Sequence, residues 1–483
     1  MHSRPVLHRC LASGFCVVLV SAGVLLAHDH PQHGADAMPP YDGPGYDGSS
    51  SGSPLKFSSS NVTLQSWIPV VEFGDFNAAN DCWGYVSPSG REYAIIGLSA
   101  ATAFVEITDP AFPQIVSLID GPQSIWRDIK TYSHYAYAVS EGSSGVSGQG
   151  IQVIDLAEID NGIVTLVNTV TEGGSISTRR THNVAIDEVS GYLYRCGGGG
   201  GGGTVGLRIY SLADPANPSF VGEWHQRYVH DAQIVTYTEG PYAGKEIAFL
   251  YSNNNSGGGN PGLDILDVTD KSNIVQLGFT SYSFPAFSHQ GWLTDDRKYV
   301  YLNDELAEVN YDLPTTTRVI DVSDLSNPHE VSTYTNGQNA IGHNIFLRGN
   351  LIFAANYRSG LRVFDASDDP LSPIEVGYFD TFPEGDGLNF NGLWGNYPFF
   401  PSGTIIGSDI EKGLFVWRVD ALTCPIDLTT DGVVNVSDLL TLLGQWGACP
   451  TDEPCPADFN DDGVVNVSDL LILLGAWGQC PPW

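Results

Sequence analysis

Two twelve-residue stretches near the C-terminus, Asp427 to Asp438 (DLTTDGVVNVSD) and Asp458 to Asp469 (DFNDDGVVNVSD), lie 31 residues apart and carry oxygen donors in the same pattern. A hard cation such as Ca2+ gathers oxygens around a tight turn. A twelve-residue loop supplies them at positions 1, 3, 5, 9 and 12 and from the position-7 carbonyl, with glycine at position 6 making the bend. This spacing assigns calcium to Asp427, Thr429, Asp431, the Val433 carbonyl, Asn435 and Asp438, and to Asp458, Asn460, Asp462, the Val464 carbonyl, Asn466 and Asp469. Both loops end on Asp where such loops usually carry Glu, and Thr429 makes the first the weaker site. Repetition of the whole oxygen pattern separates these loops from a merely solvated acidic surface.

A second set of reactive side chains is dispersed through the chain. His182, His230, His289 and His343 open strand-like runs, Asp128 and Asp231 occupy the adjoining position in their own runs, and Asp304 and Glu305 lie in a following loop. Imidazoles, carboxylates and aromatics brought to one place suit a metal ion or a sugar-like or peptidic ligand. Glu305, Asp304 and Asp231 are the stronger candidates, because the histidines lack the close spacing that marks zinc sites. A residue recurring once per repeat also has a structural reading, in which each His or Asn bonds the backbone of the next repeat. The glycine run Gly197 to Gly203 is followed by no Lys-Ser/Thr and no helix, so it is not a phosphate cradle. No GxSxG nucleophile motif is present.

The elements that must position these groups are copies of one cassette. In LRIYSLADPANPSFVGEW, from Leu207, residues alternate with a two-residue period, prolines after Asp214 and Asn217 stop the strand, and Phe220, Val221 and Trp224 start another. Related cassettes begin at Ala103, Leu263, Thr317 and Leu361, with looser ones at Ile151 and Leu414. Two further strand-like runs precede each, giving four strands per unit at a repeat of about 52 residues. Four antiparallel strands repeated seven times predict an all-β seven-bladed propeller over residues 61–420. The last unit lacks its fourth strand, while VTLQSWI, Val62 to Ile68, has fourth-strand character and no unit before it. Pairing the two would close the ring and remove two sheet edges.

In such a ring the first strand of each unit lines the channel. Its opening residues align as Cys82, Arg127, His182, His230, His289, His343 and Asn391, followed by Trp83, Asp128, Asn183, Asp231, Gln290, Asn344 and Gly392. Trp126, Tyr228, Phe284 and Phe287 lead into first strands and are expected at the same mouth.

The formal charge of −34 repels phosphate backbones and anionic lipid, which excludes nucleic acid as a partner. Residues 1–27 carry two arginines, an apolar run and Ala27, the layout of a secretory signal, so the protein is expected to be extracellular or at the cell surface. Residues 28–60, rich in His, Pro, Gly and Ser, read as a flexible tether, with His28, His30 and His33 as potential metal donors. An oxidising compartment favours disulfides among Cys424, Cys449, Cys455 and Cys480, one within each C-terminal repeat being the simplest of three pairings, and Cys82 with Cys196 is a candidate third bridge. Leu439, Leu440, Leu442 and Leu443, and Leu470, Leu471, Leu473 and Leu474, form two short helices after the calcium loops that are expected to pack on each other.

Residues 61–420 resemble the choice-of-anchor B domain built of LVIVD-type repeats, on the motifs VIDVSD at Val319, SHQGWLTDD at Ser288 and NDELAE at Asn303. That resemblance implies a propeller exported and joined to surface-attachment modules. Residues 424–483, with duplicated DxNxDGxVNxxD and a helix after each loop, resemble the type I dockerin module, which docks onto cohesin domains of scaffolding or surface proteins. It implies partner contacts at Val436, Ser437, Val467 and Ser468. Together these readings describe a secreted binding or scaffold protein with a glycan or peptide ligand at the propeller mouth and calcium in its docking module. The competing class is a polysaccharide hydrolase or lyase carrying a dockerin, which paired carboxylates near Glu305 would support.

Overall fold

The structure, a computed structural model, describes residues 37–50, 55–142, 148–175, 178–199, 205–253, 260–419, 426–429, 433–450, 455–460 and 462–479. The expected secretory signal and His28, His30 and His33 lie outside the described residues.

Seven four-stranded antiparallel sheets follow one another along the chain. Their first strands are Ala79–Val86, Arg127–Tyr132, Asn183–Asp187, Tyr228–Thr236, Ser288–Leu293, Ile345–Arg348 and Leu393–Tyr397, which open blades one to seven. The alternation read from the sequence puts large side chains on both faces of the inner strands. Tyr194, Ile209, Phe249, Leu302, Phe353 and Trp417 are completely buried between blades, so each sheet is stabilised by burial against its two neighbours.

Each cassette carries a β-bulge between its third and fourth strands, at Phe104/Val105, Leu166/Asn168, Ile209/Tyr210, Ile265/Leu266, Val319/Ile320 and Val363/Phe364. The N-terminal strand Val62–Ile68 pairs antiparallel with Gly413–Val419, from Val62 opposite Val419 to Ile68 opposite Leu414, and has the same bulge at Leu64/Ser66. It is therefore the fourth strand of blade seven, and the expected closure is formed. Trp67, 1% exposed, anchors it by stacking on Phe415 at 5.4 Å and 6°.

The expected tether is not free where it is described. Ser59–Ser60 adds a fifth strand to the outer edge of blade six, and Tyr46 bridges Trp67. Phe57 packs at 5.3–5.4 Å against Trp67, Phe379 and Phe415. Three aromatic anchors, Tyr41, Tyr46 and Phe57, outweigh the polar composition around them.

The C-terminal segment has a reciprocal arrangement. Val433–Val434 pairs with Gly478–Gln479, and Gly447–Ala448 pairs with Val464–Val465, so each repeat completes the other. The helices Val436–Gly444 and Val467–Gly475 both start on a capping box, Asn435 with Asp438 and Asn466 with Asp469. Leu442 and Leu473 are fully buried between the repeats with Val434, Ala457 and Val465. The expected packing of the two helices on each other is formed through this core, while Leu440, Leu443, Leu471 and Leu474 point outward, because a helix turns about 100° per residue and only one stripe can face the partner.

Two disulfide expectations are also corrected. The bridge is Cys449–Cys455, joining one repeat to the next across six residues rather than closing either repeat. Cys424 and Cys480 lie outside the described residues. Cys82 and Cys196 are unbridged and buried in the cores of different blades, where each behaves as a small apolar side chain.

Candidate functional site: the propeller channel

The four histidines are brought together. Ring centroids are 4.2 Å apart from His182 to His230, 4.1 Å from His230 to His289 and 4.1 Å from His289 to His343, an arc across blades three to six. All four side chains are buried, at 6%, 2%, 2% and 2% exposure. The structural role weighed for them is present on one side of three of the rings. His230 Nδ1 lies 2.9 Å from the carbonyl of His289, His343 Nδ1 2.5 Å from that of Trp394, and His182 Nδ1 2.6 Å from Glu141 Oε1. These oxygens can only accept, so each Nδ1 carries the proton and each Nε2 is turned elsewhere.

Glu305 enters this arc from the loop after the second strand of blade five. Its Oε2 is 3.7 Å from His289 Nε2, its Oε1 is 3.7 Å from His343 Nε2, and Tyr357 Oη donates to Oε1 at 2.8 Å. Its backbone N–H is held by the Phe287 carbonyl at 3.0 Å. Asp304, the adjacent candidate, plays a different part. It accepts from Tyr282 Oη and the N–H groups of Ala286, Phe287 and Leu306, and so builds the loop that presents Glu305. Nearby, burial pushes Glu308 up to about 8, with Arg318 pulling the other way.

The loop leading to His182 is held by buried arginines. Arg195 Nε donates to Thr181 Oγ1 at 2.7 Å, and Arg208 Nη2 donates to the Arg180 and Gly197 carbonyls at 3.1 and 2.6 Å. Gly198 has φ +99°, and a Cβ there would stand 2.5 Å from the Arg180 carbonyl oxygen, so the start of the glycine run is a close backbone contact.

One step along the strands lies a second ring, and it corrects the sequence alignment. Bulges at His230 and His289 skip those residues in the pairing, and the equivalent bulges in blades one and seven fall at Asn80/Asp81 and Trp394. The histidine position is thus Asn80 and Trp394 in those blades, not Cys82 and Asn391, and the next position is Asp81 and Gly395. An ungapped reading has no means of seeing an inserted bulge residue. In this ring Asp128 Oδ2 accepts from Val184 N–H at 2.7 Å, Gln290 Oε1 from Ile345 N–H at 2.7 Å, and Asn183 donates to the His230 carbonyl at 3.1 Å, each contact tying one inner strand to the next.

The ring also concentrates charge. Lys130 Nζ sits 2.6 Å from Asp128 Oδ1. Burial opposes the Lys130 charge, yet Asp128, Asp81 and Asp231 together hold its pKa above the ordinary value. Burial, then the Asp128 charge, pushes Asp81 up to about 7, and burial drives Asp231 well above the usual carboxylate range.

Three residues past the histidine position in blades one, five and seven, roughly 10 Å at strand rise, the channel opens into a cavity of about 290 Å3 that adjoins this ring. Trp83, Trp292, Tyr397 and Phe399 line it together with Lys130 and Glu188. Lys130 Nζ lies 4.4 Å over the Trp83 ring. The sequence reading missed this pocket: Trp83 aligns to the channel and Trp292 stands within SHQGWLTDD, but nothing local to either brings the aromatics of blades one, five and seven together. Of the aromatics expected at the histidine mouth, Trp126 and Phe287 stand 6.3 Å from His182 and 5.2 Å from His230, Tyr228 is buried, and Phe284 faces solvent against Tyr311.

In the C-terminal loops, Asp438 Oδ1 accepts from the Thr429 N–H and hydroxyl at 2.9 Å, and Asp469 Oδ1 from Phe459 N–H at 2.8 Å. Asp458 accepts from Asp462 N–H at 3.1 Å and Gly463 N–H at 2.7 Å. Asn466 Nδ2 lies 2.9 Å from the Val464 carbonyl. In the second loop the first and last residues are thus both folded back onto the segment between them, and the ligand positions described in the two loops offer oxygen, which fits Ca2+. Asp431 lies outside the described residues.

Residues 318–336, the third and fourth strands of blade five, match the LVIVD repeat family. No curated protein matches the chain. Solved structures similar to it include Kuenenia stuttgartiensis hydrazine synthase (TM-score 0.45, 11% identity, covering 69% of this chain and 94% of that one). A functionally unknown protein from Desulfotomaculum acetoxidans DSM 771 has TM-score 0.45 and 14% identity, covering 65% and 88%. The RRP9 WD40 repeats have TM-score 0.49 and 8% identity, covering 75% and 100%. Sheet topology and repeat together make this chain a seven-bladed β-propeller protein carrying an LVIVD repeat.

Proposed function

We propose that this is an exported binding protein of the choice-of-anchor B type, whose propeller takes a small glycan or peptide ligand and whose C-terminal module fastens it to a surface or scaffold partner in a calcium-dependent, dockerin-like manner. One observation carries the docking half. Val436, Leu440, Leu443 and Trp446 lie 58%, 64%, 47% and 46% exposed, and their counterparts Val467, Leu471, Leu474 and Trp477 lie 57%, 63%, 48% and 46% exposed. The spacing of four, three and three residues follows one helical stripe. Two such outward stripes on a segment this small are contact surface rather than core. Val436 and Val467 occupy the loop position that the dockerin resemblance assigns to the partner, which favours a cohesin-like occupant.

Ligand binding is supported by the aromatic cavity, where Trp83, Trp292 and Tyr397 offer flat faces and Lys130 and Glu188 polar ends. The test has two arms on the full chain. Calcium-loaded protein is passed over immobilised cohesin modules. Retention that is lost in chelator, and lost in calcium-loaded Leu440→Asp/Leu471→Asp whose helical circular dichroism is unchanged, supports docking. Retention unaffected by either change would sink it. On a glycan and peptide array, binding lost in Trp292→Ala supports the cavity as the ligand site. Turnover of a bound polysaccharide would replace the binding reading with the enzymatic one.

A further inference from the structure

The histidine mouth has a chemistry that a sugar or peptide site does not need. We propose that it is a centre for a borderline divalent cation of the first transition row, such as Zn2+, Fe2+ or Co2+, held by Nε2 of His230, Nε2 of His289 and a carboxylate oxygen of Glu305, with Nε2 of His343 as the fourth donor. One donor atom from each of His230, His289 and Glu305 lies within 4.8 Å of the other two. His343 Nε2 reaches the same carboxylate at 3.7 Å.

Three features point to a cation. The rings of His230 and His343 are oriented from behind, each Nδ1–H donating to a main-chain carbonyl of the following blade, which is the outer-shell arrangement that fixes the tautomer of a metal-bound imidazole. The His343 Nε2 lone pair then faces an acceptor, since Glu305 is oriented by the Tyr357 hydroxyl at 2.8 Å. That lone pair and the carboxylate, 3.7 Å apart, repel unless positive charge lies between them, and His289 Nε2 stands at the same distance from the other carboxylate oxygen. Finally, all of these groups are 3% exposed or less, so the charge is felt in a poorly screened environment. Two or three nitrogens with one oxygen select a borderline metal over Ca2+, which requires oxygen donors, so this centre and the C-terminal loops sort different ions.

The competing source of positive charge is a proton, which would make the cluster an imidazolium–carboxylate pair. Full-length protein is stripped with chelator, saturated with Ca2+ to fill the C-terminal loops, loaded with Co2+ and desalted. The expected result is about one Co2+ per chain with ligand-field absorption bands, weakened at least about tenfold in affinity by Glu305→Gln and by His289→Ala. The variant His28→Ala/His30→Ala/His33→Ala, which removes the N-terminal histidines, and His225→Ala, at an exposed position, should retain the ion. Glu305→Gln is nearly isosteric, so an unchanged circular dichroism spectrum keeps the result interpretable if His289→Ala fails to fold. Failure to retain Co2+, or retention that follows the N-terminal histidines instead of Glu305, would overturn the proposal. Neither result depends on the glycan, peptide or cohesin arms above.

Discussion

The propeller and the C-terminal module solve the problem of stability in opposite ways. The propeller buries seven interlocked sheets and closes them with a strand from the other end of its own sequence, so its cohesion comes from apolar area and from polar side chains that tie one inner strand to the next. Among its described residues the module fully buries five apolar side chains, Val434, Leu442, Ala457, Val465 and Leu473, and adds a Cys449–Cys455 bridge. A core that small supplies little net stability, and small domains of this kind depend on cross-links or ions. On the proposed calcium reading, the contrast would make the ion a folding partner of one region of this chain and a bystander to the other.

Removing calcium should separate the two most sharply. In chelator the helical signal of residues 426–479 should melt at low temperature or vanish while the propeller transition stays where it is, measured by far-ultraviolet circular dichroism. One unchanged transition for both regions would break the contrast. The reverse perturbation is Trp67→Ala, which empties the closing strand's anchor. It should cost the propeller about 3–5 kcal/mol, read from its guanidinium midpoint, and leave the module unmoved. Asn466→Ala removes both the helix cap that accepts from Ser468 N–H and an expected calcium ligand. Loss of the cap alone should lower module stability by about 1 kcal/mol in chelator, and the loss in calcium should be larger.

A pH-dependent effect comes from the channel. Asp81 has its pKa raised from 3.8 to about 7 by burial and then by Asp128, so the folded state favours the protonated form. The stability this contributes is complete below pH 3.8 and is lost as pH rises toward 7. Asp81→Asn should flatten the propeller's melting temperature across that window, with the module's own pH profile as the internal control. A profile identical to wild type would show that Asp81 is not the group being titrated.

Much of this was legible in the residues. The cassette period, the missing last strand and the orphan VTLQSWI together imply a closed ring, because strand alternation and proline stops are local properties of the chain. The duplicated oxygen pattern is local too. The histidine arc was partly legible, since four of seven blades keep His at the corresponding place. Asp81 and Trp394 were not, because β-bulges shift register without leaving a sequence mark. The aromatic cavity and the cross-repeat disulfide were equally hidden, being contacts between segments far apart in the chain or paired by geometry alone.

By itself, then, the sequence determined what repeats: seven strand cassettes, two calcium-type loops, and the residue types each copy contributes. Only the tertiary structure decided what meets: that His289 and His343 turn Nε2 toward Glu305, which leucines turn outward, and which cysteine finds which. Repeats are set by short-range backbone preference, whereas meetings depend on ring closure and sheet twist, which no single copy contains.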